Sequence, residues 1–160
     1  MAEQKGDATL TKEYLEVTSL IERMHRRYLD VIRTELNRMK VRDINAVQGM
    51  LLANIGQEEI VIRDLIERGY YQGSNVSYNL KKLAELGYIV HERSDHDRRS
   101  VRISLTPQAR RVVTKIRELE ARHSAAITEK GIEEPALAGA CQPLLQVEHI
   151  WTDYIRGGRR

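Results

Sequence analysis

The chain has 160 residues with a mass of 18.5 kDa, 41% of them hydrophobic, a formal net charge of +3 and one cysteine. This is the size of one domain, or of one small domain with an appended arm, and holds enough apolar residues for a core. Cys141 by itself excludes an intramolecular disulfide and any multi-cysteine zinc site, charges interrupt every run before the roughly 20 apolar residues of a membrane helix, and residues 1–10 lack the apolar stretch of a signal peptide, so a cytoplasmic protein without membrane partner, metal or cofactor is expected.

Over residues 11–40 the apolar side chains Tyr14, Val17, Ile21, Met24, Tyr28, Val31, Ile32 and Met39 recur at steps of three and four, which predicts one long amphipathic helix. Such a length exceeds what a small domain packs on itself, so part of it is expected outside its own domain or on a second subunit. Asp43, Ile44 and Asn45 bring capping side chains ahead of a short helix over 46–53, which Gly56 ends. Residues 59–62 read as a brief strand, and 63–68 as a short helix stopped at Gly69.

After a turn at 70–73, Ser74 or Asn75 is expected to cap a helix whose stripe is Val76, Leu80, Leu83 and Leu86, closed by Gly87. Its other face carries Ser77, Tyr78, Lys81 and Lys82. Two short helices joined by a glycine-containing turn, the second polar and basic outside, form the arrangement of a helix-turn-helix. Residues 88–93 and 101–106 then read as two strands joined by a charged hairpin at 94–100.

Thr106 and Pro107 start a helix, with Thr as cap and Pro at its first position, and Val112, Ile116, Leu119, His123 and Ile127 form its stripe as far as Gly131. Beyond a break at 131–135, a last helix runs through Leu137, Leu144, Leu145, Val147, Ile150, Trp151, Tyr154 and Ile155. The apolar surface of the end helices is more than a unit spanning 42–106 buries, so a homodimer is expected. A monomer with its end helices packed only on each other is the alternative. Trp151 and Tyr154 are expected at an interface or in a core.

Charge is distributed unevenly. Lys81, Lys82, Arg93, Arg98, Arg99, Arg102, Arg110 and Arg111 outnumber Glu85, Glu92, Asp95 and Asp97 over residues 74–111, while the rest of the chain is close to neutral. Such a segment suits a polyanion, because each phosphate contact releases condensed counterions; a solvated basic face accounts for the charge equally well. At the hairpin tip, Arg98 and Arg99 suit a narrow minor groove, whose negative potential attracts guanidinium groups.

The run Leu80-Lys81-Lys82-Leu83-Ala84-Glu85-Leu86-Gly87-Tyr88-Ile89, followed by Arg93 to Pro107 with its Asp97-Arg98-Arg99 tip and alternating strand ending Leu105-Thr106, resembles the MarR (multiple-antibiotic-resistance regulator) family of bacterial winged-helix regulators over nearly the whole chain. The resemblance implies a mainly α fold with a small β wing: a winged helix-turn-helix at 42–106, an N-terminal dimerisation helix at 1–41, C-terminal dimerisation helices at 107–156 and a disordered tail at 157–160. It implies transcription regulation by repression, through a homodimer on double-stranded DNA with a pseudo-palindromic operator. In the family the wing Asp pairs with the Arg two residues on, here Asp97 with Arg99, leaving Arg98 for phosphate.

Ser74, Asn75, Ser77, Tyr78, Lys81 and Lys82 are the recognition-helix candidates. Asn75 pairs with adenine or only caps, Asn79 points sideways, and Tyr78 either packs or reads. Ser and Lys serve base edges and phosphates alike, so no operator sequence follows. Lys81 stands where relatives often carry an acid. A small aromatic effector is a further expected partner, in a cleft bordered by Tyr28, Ile32, Ile44 and Leu65.

No catalytic motif is present: Gly-x-Ser-x-Gly, a phosphate loop and His-Glu-x-x-His are all missing. His91, Asp95, His96 and Asp97 are close in sequence but are expected to be solvated polar groups rather than metal ligands. Cys141, beside Leu137, Leu144 and Leu145, is expected to be a buried, inert thiol rather than a redox trigger. A helical interaction module without DNA binding is the competing reading; it explains the long helices but not the wing.

Overall fold

The computed structural model describes residues 2–56, 59–67, 73–93 and 101–157. Helix α1 (Ala2–Arg38) starts earlier than the apolar stripe predicted, since the polar residues ahead of Tyr14 carry no burial signal yet continue the helix. Among its described side chains, those of the last turns enter the core, through Ile32 and Leu36. Lys40 closes it in the left-handed region at φ 59, where the Lys40 amide donates to the Asn37 carbonyl at 3.0 Å and the Val41 amide to the Leu36 carbonyl at 2.9 Å.

Helix α2 (Ala46–Ile55) follows a reciprocal cap. The Asn45 side chain accepts from the Gln48 amide at 2.9 Å, and the Gln48 side chain accepts from the Asn45 amide at 3.0 Å. Of the predicted capping residues, Asn45 alone serves; Asp43 has a different partner, described below. A Cβ on Gly49 would lie 3.2 Å from Ile32 Cγ2 and 3.4 Å from Leu36 Cδ1, so the missing side chain is what lets α2 close onto α1.

Strand β1 (Ile60–Val61) leads into α3 (Ile62–Glu67) and then α4 (Gly73–Glu85). Strands β2 (Ile89–Arg93) and β3 (Val101–Leu105) complete an antiparallel sheet of order β1-β3-β2, in which Ile60 lies opposite Ile103. Helix α5 (Pro107–Glu129) and helix α6 (Glu134–Gly157) end the chain. The result is mainly helical with a small sheet, as expected.

Two compact units divide at residue 117. In the first, Met1–Arg117, every element but β2's outer residues feeds one core: Ile32 of α1, Leu52 of α2, Leu65 of α3, Leu83 of α4, Ile103 of β3 and Ile116 of α5 are all buried. Each such side chain contributes about 1.5–3 kcal/mol relative to exposure. Arg117 donates from Nη2 to the Ala53 carbonyl at 3.0 Å, satisfying an end carbonyl of α2 that has no partner within its own helix.

The second unit, Glu118–Arg160, corrects two expectations. His123 is exposed rather than part of a buried stripe. Cys141 is also exposed, its thiol directed at the Leu137 carbonyl at 3.4 Å. The face of Leu137, Leu144 and Leu145 is itself 46%, 43% and 46% exposed, so apolar neighbours do not bury the thiol. No residue of α6 is buried; Trp151 is half-buried and Tyr154 is 84% exposed. Among the described residues, no helix is long and apolar enough to cross a membrane.

Candidate nucleic-acid interface

Helix α4 is held by the stripe that periodicity identified. Val76, Leu80 and Leu83 are buried and Leu86 packs against the same core. Asn75, Ser77, Tyr78, Lys81 and Lys82 are exposed on its other sides. Because the helix already includes Gly73, neither Ser74 nor Asn75 is its cap; both lie within its first turn. Asn79 donates its amide to the Asn75 carbonyl at 2.8 Å, directing that group back along the helix, and Lys82 Nζ lies 3.3 Å from Glu85 Oε2. Tyr78 is not a packing residue, being 68% exposed.

The end of α4 is fixed by a hydrogen-bonded turn. Gly87 sits at φ 75, its amide donates to the Ala84 carbonyl at 3.0 Å, and the Tyr88 amide reaches the Leu83 carbonyl at 2.9 Å. Thr106 then binds this turn from the far side of the wing. Its hydroxyl lies 2.8 Å from the Gly87 carbonyl and 3.1 Å from that of Tyr88, and its amide donates to the Tyr88 carbonyl at 3.0 Å. The same oxygen accepts from the Ala109 amide at 3.4 Å as the α5 cap that the sequence predicted.

Strands β2 and β3 pair from Ile89 opposite Leu105 to Arg93 opposite Val101, so the connection between them carries the predicted tip. Asp97, Arg98 and Arg99 lie outside the described residues, as do Asp95 and His96. Arg102 points outward and pairs with Glu59 at 3.5 Å, while Arg110 and Arg111 are exposed at the start of α5. Beneath the wing, the buried Tyr88 hydroxyl donates to Asp43 Oδ1 at 2.9 Å. Burial first, and the hydrogen bond to Asp43 second, push this phenol above its ordinary 10.0. Among the described residues, no group of three His, Cys, Asp or Glu side chains is placed to hold a metal.

Of the residues expected to border an effector cleft, Ile32 and Leu65 are wholly within the core, Ile44 is buried, and Tyr28 is 37% exposed. Ile44 also lines a groove of about 450 Å³ between the end of α1 and the start of α2, together with Leu29, Val41, Arg33 and Arg42. The Thr106–Gly87, Tyr88–Asp43 and Arg102–Glu59 contacts were not found by sequence reasoning. The alternation of β3 does mark Arg102 as outward-facing, but no pattern supplies its partner.

A winged helix DNA-binding domain model matches residues 44–109. Over 156 residues the chain is 35% identical to the exopolysaccharide II synthesis transcriptional activator ExpG of Rhizobium meliloti, covering 98% of this chain and 80% of that protein. The transcriptional regulator SarZ of Staphylococcus aureus is 29% identical over 91 residues, 56% of this chain and 62% of SarZ. Two solved structures share the fold: Streptococcus pneumoniae FabT in complex with DNA, with TM-score 0.63 and 22% identity over 88% of this chain and 99% of that one, and a mutant Escherichia coli MarR complexed with operator DNA, with TM-score 0.65 and 18% identity over 84% and 95%. These relatives are regulators rather than enzymes, in keeping with the missing catalytic motifs. With its α3–α4 pair, its three-stranded wing and a relative matched over nearly its entire length, the chain belongs to the MarR family of winged-helix, DNA-binding transcriptional regulators.

Proposed function

We propose that the protein binds a pseudo-palindromic operator as a homodimer, with α4 in the major groove and the tip carrying Asp97, Arg98 and Arg99 at the minor groove. The observation that carries this reading is the outward face of α4: Asn75, Ser77, Tyr78, Lys81 and Lys82 stand exposed while Val76, Leu80 and Leu83 anchor the opposite side. Dimerisation is supported by α6, none of whose residues is fully buried, and by the exposed Leu10, Leu15, Leu20 and Met24 of α1. The division of labour is an N-terminal dimerisation helix at 1–41, a DNA-binding domain at 42–106 and C-terminal dimerisation helices at 107–156.

The name of the Rhizobium meliloti relative, a transcriptional activator, supports activation in place of the repression expected from sequence. A small aromatic effector suits the groove beside Ile44, where Arg33 and Arg42 would meet an acidic substituent and the apolar side chains its ring. Its binding would favour one spacing of the two recognition helices over another.

The test is fluorescence anisotropy with DNA from upstream of the protein's own gene at several salt concentrations. Affinity is expected to fall steeply, with a log–log slope of about −0.9 for each phosphate neutralised. A flat salt response would overturn DNA binding and leave a helical interaction module as the reading.

A further inference from the structure

The outer face of α4 offers several polar groups, the exposed Asn75 and Ser77 among them, but not all are available to bases. Asn79, whose amide has the geometry for adenine, spends it on the Asn75 carbonyl at 2.8 Å. Lys82 shares its ammonium with Glu85 at 3.3 Å. Lys81 has no ion pair among the described residues, and as a flexible point charge it serves a phosphate without defining a sequence.

Tyr78 differs from all of these. It follows Val76 by two positions and precedes Leu80 by two, which places it about opposite the buried stripe, with Lys81 and Lys82 one turn further on. Its ring is 68% exposed, and among the described residues its hydroxyl makes no hydrogen bond. An exposed aromatic side chain thus stands on the outer face of α4, between the polar Asn75 and Ser77 on its N-terminal side and Lys81 and Lys82 one turn further on.

The major groove carries one strongly apolar feature, the C5-methyl of thymine. A tyrosine ring covers it well, because the ring has large apolar area and loses little conformational entropy on ordering. We propose that Tyr78 is a specificity-determining residue, its ring seated against a thymine methyl in each half-site while lysines on the same face hold the flanking backbone. This rests on the reading of α4 as the DNA-contacting helix.

The experiment is selection of binding sites from two random duplex libraries, one with thymine and one with deoxyuridine in its place, using the full-length protein, Tyr78→Ala and Tyr78→Phe. The unaltered protein is expected to enrich a motif with a fixed thymine in each half-site, and to bind its deoxyuridine counterpart about fivefold more weakly. Tyr78→Ala is expected to keep its circular dichroism spectrum and salt dependence while losing that fixed position and the thymine–deoxyuridine difference. Tyr78→Phe, which keeps the ring, is expected to retain both. The proposal is overturned if Tyr78→Ala enriches the same motif with the same discrimination, or if Tyr78→Phe loses it, since the hydroxyl would then be the reader. Absence of any enriched motif with the unaltered protein overturns the DNA-binding reading itself, and this proposal with it.

Discussion

The Tyr88 hydroxyl donates to the Asp43 carboxylate at 2.9 Å across 45 positions of sequence, tying the loop between α1 and α2 to the turn that ends α4. Tyr88 is buried, so removing its hydroxyl abolishes a charge-assisted bond while leaving the ring packed. Tyr88→Phe is expected to lower the unfolding free energy by about 1–2 kcal/mol, read as a reduced urea midpoint with unchanged slope. The phenol is raised above 10.0 in the folded protein, chiefly by burial, so its contribution is complete below pH 10 and is lost as pH rises toward the folded-state value. Alkaline destabilisation should accordingly be shallower in Tyr88→Phe, and identical alkaline limbs would contradict the burial of this group.

Lys40 occupies the left-handed region at φ 59, which glycine adopts without the Cβ clash. Lys40→Gly is expected to stabilise the protein by about 0.5–1 kcal/mol despite the added freedom of the unfolded chain. Thermal melting at neutral pH checks the sign.

The Asn45–Gln48 cap satisfies two amides that α2 cannot satisfy internally. Asn45→Ala is expected to cost about 1 kcal/mol in chemical denaturation, and Asn45→Asp to cost less because a carboxylate oxygen can accept the same bond.

For DNA binding, Arg99→Ala is expected to weaken affinity about tenfold while leaving the melting temperature unchanged. Anisotropy titrations indistinguishable from those of the unaltered protein would remove the wing arginine from the interface.

Ile150 is 65% exposed on α6, so a charge placed there costs a monomer little but breaks an apolar interface between copies. Sedimentation at micromolar concentration should give a dimer for the unaltered protein and an 18.5 kDa species for Ile150→Glu. An 18.5 kDa species in both cases would refute the dimer.

Local chemistry proved the legible part of this chain. The spacing of Val76, Leu80 and Leu83 marked the inward side of α4, Thr106 and Pro107 marked the start of α5, and alternation marked β3, because each signal lies within one element. Cys141 shows where such reasoning stops: periodicity placed it on an apolar face, but whether anything covers that face depends on the rest of the molecule. Ser74 and Asn75 were suitable caps by residue type, yet the helix begins before them. The partners of Asp43, Arg102 and the Thr106 hydroxyl come from distant segments, and no local pattern encodes such proximity.

Thr106 belongs to three elements at once: it follows the last residue of β3, caps α5 through its oxygen, and binds the turn that terminates α4. The end of β3 and the turn that closes α4 therefore share a hinge pin with the first turn of α5. On the proposed reading, in which α4 and the wing meet DNA, a rotation of that turn would carry the two together and keep the spacing between their contact surfaces.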